Sequence, residues 1–158
     1  MLKTLLITLH FITSTLCISA QTTEDSSKIS LMFIGDIMGH DPQIKAAEDT
    51  KTGTYYYDDV FKFISPLISA PDITIANLEV TLAGKPYTGY PKFSSPAALA
   101  SSCKKAGIDC LVTANNHSSD RDGEGIISTI NKLDSLQILH TGTFTCQAER
   151  DSLYPLVI

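Results

Sequence analysis

The sequence has no long cluster of basic residues, and this absence limits the partners that the protein can bind. Lysine and arginine together number 12 among 158 residues, against 17 aspartates and glutamates, and the formal net charge is −5. Binding to the phosphates of DNA or RNA requires concentrated positive charge. We therefore expect no nucleic-acid partner.

Closely spaced cysteines are also missing. Cys17 lies in the N-terminal apolar segment, and Cys103, Cys110 and Cys146 follow far downstream, with no pair at the spacing of a zinc knuckle. If Cys17 is removed with the N-terminal segment, three cysteines are left. Three cysteines cannot all pair within the chain, so at least one thiol stays free or pairs elsewhere. We expect buried thiols. Lipid attachment at Cys17 is disfavoured, because the preceding residue, Leu16, is not small.

No apolar run is long enough to span a bilayer comfortably. The run from Leu5 to Ile18 follows Lys3, and the small residues Ser19 and Ala20 precede a polar stretch. This pattern predicts a secretory signal peptide at 1–20, a polar linker at 21–28 and export to the periplasm, the cell envelope or the medium. The membrane would be contacted only through the signal segment. The alternative is an uncleaved anchor or a buried N-terminal helix.

The rest of the chain alternates short apolar runs with segments of helical periodicity. The runs predict strands at 29–34, 73–76, 110–113 and 137–140, and the periodic segments predict helices at 42–47, 59–68, 95–106 and 125–136. This order predicts an α/β fold with a parallel sheet. The first strand is apolar at nearly every position, which predicts burial on both faces.

Proline, glycine and serine mark several boundaries. Pro66 predicts a break or kink in the second helix. Ser95 is the expected N-cap of the third helix, with Pro96 in its first turn, and Gly107 is its expected left-handed C-cap. The loop at 83–93 is long enough to be a binding loop. The segment from Tyr154 to Ile158 is typical of a strand that is just beginning, so we expect the chain to be the N-terminal part of a longer domain.

Polar residues follow three of the predicted strands. They are Asp36, Glu79 and the segment Asn116-His117 with Asp120. Side chains at the carboxyl ends of parallel strands converge at one edge of the sheet. Carboxylate and amide oxygens with one imidazole suit Mn, Mg, Ca or Fe, and such an ion activates water or polarises a phosphoryl or carbonyl oxygen.

Each of these residues also has an ordinary structural interpretation. Asp36 after a glycine is compatible with a simple turn, and Glu79 with a surface charge. His40 is expected to be an exposed loop residue, and His140 a core or edge histidine whose ring nitrogens are both hydrogen-bonded.

Taken together, four motifs resemble the CapA family of poly-γ-glutamate capsule biosynthesis proteins, within the calcineurin-like metallophosphatase superfamily. They are FIGDIMG at 33–39, ANLE at 76–79, PKFSSP at 91–96 and TANNHSSD at 113–120. The resemblance covers about residues 29–158. It implies a metallophosphatase-like α/β/β/α sandwich, of which this chain would hold the N-terminal half.

By motif position, the resemblance implies a divalent-metal site with Asp36, Glu79 and Asn116 as ligands. His117 would act as a proton donor or charge stabiliser, with Asp120 orienting it, and Asn77 would hold Glu79 or contact the substrate. Asn115 and, from the loop, Tyr90 are further candidate substrate contacts. Two features depart from the superfamily pattern. No histidine stands two residues after Asp36, and the later histidine motifs have no counterpart, so the metal site would be about half present.

Two functions follow from these expectations. The first is an exported, metal-dependent hydrolase of capsule biosynthesis that acts on a phosphate-type substrate or on an anionic or peptide-like polymer, in contact with the capsule synthesis machinery; the 158-residue form would have little or no activity. The second is a non-catalytic envelope protein that binds or guides a capsular polymer. Its contact surface would be the loop from Tyr87 to Phe93, with Lys85 and Lys92.

Overall fold

A computed structural model of the protein describes residues 28–153. The predicted signal peptide, the predicted linker up to residue 27 and the strand predicted from residue 154 lie outside this range. In chain order the elements are β1 (Leu31–Ile37), α1 (Asp41–Ala47), β2 (Glu48–Asp49), β3 (Thr54–Tyr55), α2 (Asp58–Phe61), α3 (Ser65–Ile68), β4 (Ile73–Leu78), α4 (Ala98–Ala106), β5 (Cys110–Val112), α5 (Asp122–Ser135), β6 (Leu139–Thr141) and α6 (Gln147–Leu153).

The main sheet has four parallel strands in the order β1-β4-β5-β6. Each strand is followed by helical segments, so the predicted α/β class with a parallel sheet is confirmed. All four predicted strands are present, with ends that differ by one to three residues. The carboxyl ends of the four strands lie at one edge, which is where the polar motifs were expected to converge.

The hydrophobic core lies on one face of this sheet. Leu78 and Leu111 point into it from the central strands, Leu99 and Leu133 reach it from α4 and α5, and all four are at most 3% exposed. Helices on a parallel sheet bury their apolar stripes in this way. One layer of helices on a parallel sheet is compatible with part of a metallophosphatase-like fold.

The prediction that β1 is buried on both faces is wrong. Leu31 is 50% exposed and Phe33 is 72% exposed. The strand is at the edge of the sheet, and the face that carries these two residues also carries Leu139, which is 43% exposed. An apolar sequence does not distinguish an edge strand from a central one, because position in the sheet is a property of the whole topology.

The predicted helix at 59–68 is two short helices. Pro66 occupies the first turn of α3, and the chain between α2 and α3 makes turns instead of continuing the helix. The predicted break is therefore confirmed. Asp59, the first residue of the predicted helix, lies inside α2, and Tyr57 immediately precedes that helix.

The third predicted helix begins later than expected. Helix α4 begins at Ala98, and Ser95 is buried with no hydrogen-bond partner for its hydroxyl, so Ser95 is not the N-cap. Its backbone N–H instead donates to the carbonyl of Thr81. Gly107 ends the helix in the left-handed region with φ of 102°, as predicted.

The short β2–β3 hairpin and α6 were not predicted from the sequence. Two-residue strands carry too little alternation to be recognised. Among the cysteines, Cys103 and Cys110 are buried free thiols, as expected, and Cys146 is exposed. Burial raises the pKa of Cys103 to about 12.

Candidate active site at the strand ends

A β-bulge in β1 brings Asp36 to the site. Phe33 pairs with Ile75 and Asp36 pairs with Asn77, so β1 uses one residue more than β4 over this interval. Because side chains alternate along a strand, the extra residue moves Asp36 from the core face to the face that carries Asn77. Without the bulge, the Asp36 carboxylate would point into the hydrophobic core.

Asn77 joins the neighbouring strands through its side-chain amide. Its Nδ2 donates to Asp36 Oδ1 at 2.8 Å and to Glu79 Oε2 at 3.4 Å. Its Oδ1 accepts a hydrogen bond from Nδ2 of Asn115 at 3.0 Å, and Asn115 also donates to the backbone carbonyl of Leu78 at 2.9 Å. Asn77 and Asn115 therefore hold the ends of β1, β4 and β5 together, and the carboxylates of Asp36 and Glu79 lie on either side of one amide.

The two carboxyl groups titrate differently although they are neighbours. Hydrogen bonds from Asn77 and from Glu79 hold the pKa of Asp36 below its usual value. Burial raises the pKa of Glu79, and the hydrogen bond and negative charge of Asp36 raise it further, while His117 acts in the opposite direction. Two carboxyl groups within hydrogen-bonding reach need either a shared proton or a cation between them.

His117 is held by Asp120 one turn further along the chain. Its Nδ1 is 2.8 Å from Asp120 Oδ2, and the two side chains are 14% and 11% exposed. The same Asp120 oxygen accepts the backbone N–H of Phe93 at 2.6 Å, and the backbone N–H of His117 donates to Asn115 Oδ1 at 3.0 Å. The orientation of the ring is thus fixed, and its Nε2 has no hydrogen-bond partner within residues 28–153.

The buried ring of Phe93 lies between two histidines. It makes an edge contact with His117 at 4.6 Å between ring centroids and another with His40 at 5.0 Å. His40 is exposed, as expected from the sequence, and it immediately precedes α1. The sequence did not reveal that it is only one aromatic ring away from His117.

The loop at 83–93 is held in place by hydrogen bonds to Asp41 and Arg121, two residues that were not predicted from the sequence. Asp41 Oδ1 accepts the backbone N–H of Gly89 at 2.5 Å, and Arg121 Nη2 donates to the carbonyl of Pro86 and to Thr88 Oγ1. A Cβ at Gly89 would be 2.7 Å from the backbone nitrogen of Asp41, so the close approach requires glycine. Both charged residues adjoin motifs that were recognised, but sequence spacing gives no indication of their targets.

Two predicted site residues are not drawn into the network. Asn116 is exposed, and within residues 28–153 its side chain makes no hydrogen bond. Tyr90 is 73% exposed at the outside of the loop. Their roles as metal ligand and substrate contact remain predictions, while the structure brings together Asp36, Asn77, Glu79, Asn115, His117 and Asp120.

The side chains that could bind a metal ion offer mainly oxygen atoms, and they are few. Across the described part of the chain, no three histidine, cysteine, aspartate or glutamate side chains are grouped so that they could hold a metal ion. Asp36 and Glu79 provide two carboxylates, and any further ligands would be amide oxygens, water or substrate. Mg²⁺ is commonly bound by one or two carboxylates while it keeps several waters, so the residues present fit such an ion.

A second histidine–aspartate pair joins β6 to α5. Its histidine, His140, is on β6, which forms the edge of the sheet opposite to β1. His140 Nε2 is 3.1 Å from Asp134 Oδ1, and Asp134 is 63% exposed. His140 Nδ1 is buried without a partner among the described residues. The expectation of a core or edge histidine is confirmed for its edge position, but only one of its ring nitrogens has a hydrogen-bond partner.

Comparison with models of known protein families gives a match. A family model described as "Bacterial capsule synthesis protein PGA_cap" matches residues 30–157, which is more than half of the chain. A search of curated proteins found no match. Among the described residues, none of the helices has the length and hydrophobicity needed to cross a membrane.

Proposed function

Because the chain belongs to the PGA_cap family of bacterial capsule synthesis proteins, we propose that it acts in capsule synthesis through a divalent-metal-dependent, hydrolase-type site at the strand ends. The observation that carries this proposal is the pairing of Asp36 and Glu79. Their carboxyl groups come from adjacent strand ends, lie within hydrogen-bonding reach and have opposite pKa shifts. Perturbed acidic pairs of this kind are concentrated at functional sites.

Asp36 and Glu79 are the proposed ligands of the ion, which would take the place of the proton that they share. Asn116 is kept as a candidate third ligand that would have to turn toward them. When bound, the ion would supply Lewis-acid polarisation of a phosphoryl or carbonyl oxygen. Two carboxylates with amide oxygens suit Mn²⁺, Mg²⁺, Ca²⁺ or Fe²⁺, and so small a protein set favours ions that retain water, above all Mg²⁺ and Mn²⁺.

His117 is the proposed proton carrier. When its neutral ring donates Nδ1–H to Asp120, the lone pair of Nε2 is available to accept a proton, and the protonated ring can return it. Asp120 is a positioning residue in this scheme, because its hydrogen bonds fix the ring. Asn77 and Asn115 are proposed to hold the carboxylates and to bind substrate, and Tyr90 to bind substrate from the loop.

The substrate is proposed to be an anionic or peptide-like polymer of the capsule, or a phosphate-type compound used in its synthesis.

Proteins that build a capsule work at the cell envelope. We propose that residues 1–20 direct the chain there as a signal peptide, so that contact with the membrane is limited to that segment. The mass of the mature protein tests this, since cleavage after Ala20 gives a chain that starts at Gln21. A mature chain that retains Met1 would contradict it.

Metal content tests the site itself. We expect the purified chain, loaded with Mn²⁺ and passed through a desalting column, to retain the ion, and Asp36→Ala to lose it. Asp134→Ala is the matched control, because it removes an aspartate that is also bonded to a partner but lies far along the sheet. Equal metal content in the Asp36→Ala variant and the wild-type protein would contradict the proposal.

A second candidate function, polymer binding without catalysis, is favoured by a groove on the other side of the loop. Lys45, Lys85, Tyr55 and Tyr87 line a cavity of about 390 Å³, in which the two tyrosine rings make an edge contact at 5.1 Å. Ammonium groups form charge-assisted hydrogen bonds with carboxylates, and tyrosine rings pack against the methylene groups of a chain. Asp41 and Glu48 line the same groove, so the charge there is balanced.

The two functions predict different responses to the same variants. Polymer guidance requires binding of poly-γ-glutamate that persists in His117→Ala and is lost in Lys85→Glu. Hydrolysis requires turnover that is lost in His117→Ala and is retained in Lys85→Glu. If the wild-type protein, His117→Ala and Lys85→Glu all retain the polymer in a binding assay, the groove is not the contact surface.

A further inference from the structure

Phe93 contacts both members of the largely buried histidine–aspartate pair. Its backbone N–H donates to Asp120 Oδ2 at 2.6 Å, and the same oxygen is 2.8 Å from His117 Nδ1. Its ring makes an edge contact with the ring of His117, with 4.6 Å between the centroids and 81° between the planes. One residue therefore contacts the proposed proton carrier directly and also holds the aspartate that orients it.

The Phe93 ring makes a second edge contact, with the ring of His40, at 5.0 Å and 82°. Its side chain is fully buried and belongs to the hydrophobic core, so close packing leaves the ring little freedom to move. If the His117 ring turned away from Asp120, it would lose the favourable edge geometry of its contact with Phe93. Packing and hydrogen bonding therefore favour the same orientation of the imidazole.

The backbone of Phe93 is fixed by the ends of the loop at 83–93. Its carbonyl accepts a hydrogen bond from the hydroxyl of Thr81 at 2.6 Å. The next residue, Ser94, pairs with the backbone of Thr88 through hydrogen bonds of 2.9 and 3.0 Å, and its hydroxyl donates to the carbonyl of Gly84 at 2.8 Å. Because these bonds join the two ends of the loop, a displacement of the loop displaces Phe93 as well.

The outer attachments of the loop are adjacent in sequence to residues of the site. Asp41, which accepts the N–H of Gly89, directly follows His40. Arg121, which donates to two residues of the loop, directly follows Asp120. The loop is thus held by the two chain segments that also carry the imidazole rings, so the position of the loop and the orientation of these rings are mechanically linked.

The filling of the core would by itself explain why Phe93 is buried. A residue that only fills the core, however, needs neither a hydrogen bond to Asp120 nor edge contacts with two imidazole rings. The two interpretations differ in what a change at Phe93 does to His117. Loss of packing alone lowers stability and leaves the ring in its orientation, whereas loss of a positioning contact also releases the ring.

We propose that Phe93 is a positioning residue, which together with the attached loop keeps the neutral His117 ring in the form that carries its proton on Nδ1, facing Asp120. The consequence for turnover rests on the proposed function, because it is there that His117 carries a proton. The effect on the ring does not depend on turnover and is measured without substrate.

The first test replaces the ring and keeps the backbone N–H. Phe93→Leu does this, and Phe61→Leu is the matched control, because Phe61 is 7% exposed in the same core and, within residues 28–153, makes no ring contact with a histidine. ¹⁵N NMR of the full chain, at a pH at which imidazole rings are neutral, shows which ring nitrogen carries the proton, and the spectrum of His117→Gln assigns the signals.

We expect the His117 proton on Nδ1 in the wild-type protein and in Phe61→Leu, and a shift of the population toward Nε2–H in Phe93→Leu. The kcat should fall about tenfold in Phe93→Leu, as for other partners that orient a group of an active site. The KM should stay within about twofold, because Phe93 is buried and does not touch the substrate. Circular dichroism spectra and melting curves establish that both variants are folded.

The second test loosens the loop and leaves Phe93 intact. Asp41→Ala removes the acceptor for Gly89, and within residues 28–153 the Asp41 carboxylate makes no hydrogen bond to His117. Asp59→Ala is the matched control, since it also removes an acidic residue from the first turn of a helix but none that holds the loop. We expect a shift toward Nε2–H in Asp41→Ala, smaller than in Phe93→Leu, and none in Asp59→Ala. This test stands even if Phe93→Leu does not fold.

An unchanged His117 ring in Phe93→Leu, or equal changes in Phe93→Leu and Phe61→Leu, would overturn the proposal, and an unchanged ring in Asp41→Ala would overturn the role of the loop. A released ring with an unchanged kcat in an active protein would also overturn the positioning role. If the wild-type protein shows no turnover, a change of the ring that is specific to Phe93→Leu and Asp41→Ala still supports the positioning, and the failure falls on the proposed function alone.

Discussion

The two histidine–aspartate pairs of this protein show how differently the same residues can be used. His117 and Asp120 are both largely buried at the strand ends, and one oxygen of Asp120 binds both the ring and the backbone of Phe93. His140 has an exposed aspartate partner on α5. A pair that is largely buried, doubly bonded and close to Glu79 suits the proposed proton transfer, whereas a pair with one solvent-exposed member at the sheet edge lacks these surroundings.

The difference lies in what surrounds each ring. Glu79 is close enough to His117 for the histidine to act on its pKa, and Glu79 shares the amide of Asn77 with Asp36. A buried ring nitrogen of His140 has no partner among the described residues. The two pairs therefore serve as matched controls for each other.

The largest contrast is expected when each ring is removed. His117→Gln should lower the kcat for hydrolysis of poly-γ-glutamate or p-nitrophenyl phosphate by about 10²–10⁴, the usual contribution of a positioned acid or base. His140→Gln should leave kcat within about twofold. Initial rates with Mn²⁺ supplied measure both, and similar losses in the two variants would remove the distinction between the pairs.

Removal of the aspartates should give a smaller contrast. Asp120→Asn keeps the shape of the side chain but removes the negative charge that orients the His117 ring, so we expect a loss of roughly 10–100-fold in kcat, by analogy with outer-shell partners of catalytic groups. The limb of the pH–rate profile that reports the imidazole should also move, which a purely structural defect would not cause. Asp134→Asn should retain the wild-type profile.

The third contrast is in the pH dependence of stability without metal. The pKa of Glu79 is raised above its ordinary value of 4.5 in the folded protein, so the stability that its protonated carboxyl group contributes is fully present below pH 4.5 and is lost as the pH rises through the folded pKa. We expect the melting temperature in EDTA to fall over that range and to recover on addition of Mn²⁺. Glu79→Gln should abolish this dependence, and Asp134→Asn should not. A wild-type melting curve that is insensitive to pH there would contradict the carboxyl pairing.

The smallest effect is expected at the sheet edge. His140→Gln replaces a ring with one exposed partner and one unpartnered nitrogen, so the free energy of unfolding should change by no more than about 1 kcal/mol. Urea denaturation measures this. A loss of several kcal/mol would show that the edge pair has a structural role comparable to that of a core residue.

Much of this arrangement was predictable from the sequence. The apolar runs and the polar residues that follow them predicted a parallel sheet with Asp36, Glu79 and His117 at one edge, because strand ends in such sheets converge whatever the details of the loops. Asp120 as the partner of His117 was expected only from the resemblance to the CapA family. Asn77 and Asn115 were recognised as site residues.

Other parts depend on interactions that a linear pattern does not contain. The exposure of Phe33 follows from the edge position of β1, and the late start of α4 follows from the burial of Ser95 beneath Gly39, where a Cβ would be 2.2 Å from the serine hydroxyl oxygen. The fastening of the loop by Asp41 and Arg121 joins segments 33 to 48 residues apart. Such long-range contacts are set by packing and not by local preference.

The bulge in β1 has a consequence for how this segment can change during evolution. Asp36 faces the site because one extra residue stands between Phe33 and Asp36. Many substitutions at Ile34 would preserve that geometry, but deletion of a single residue there would turn the carboxylate inward, and insertion of one would do the same. We therefore expect the segment to accept replacements of its apolar side chains far more readily than any change in its length.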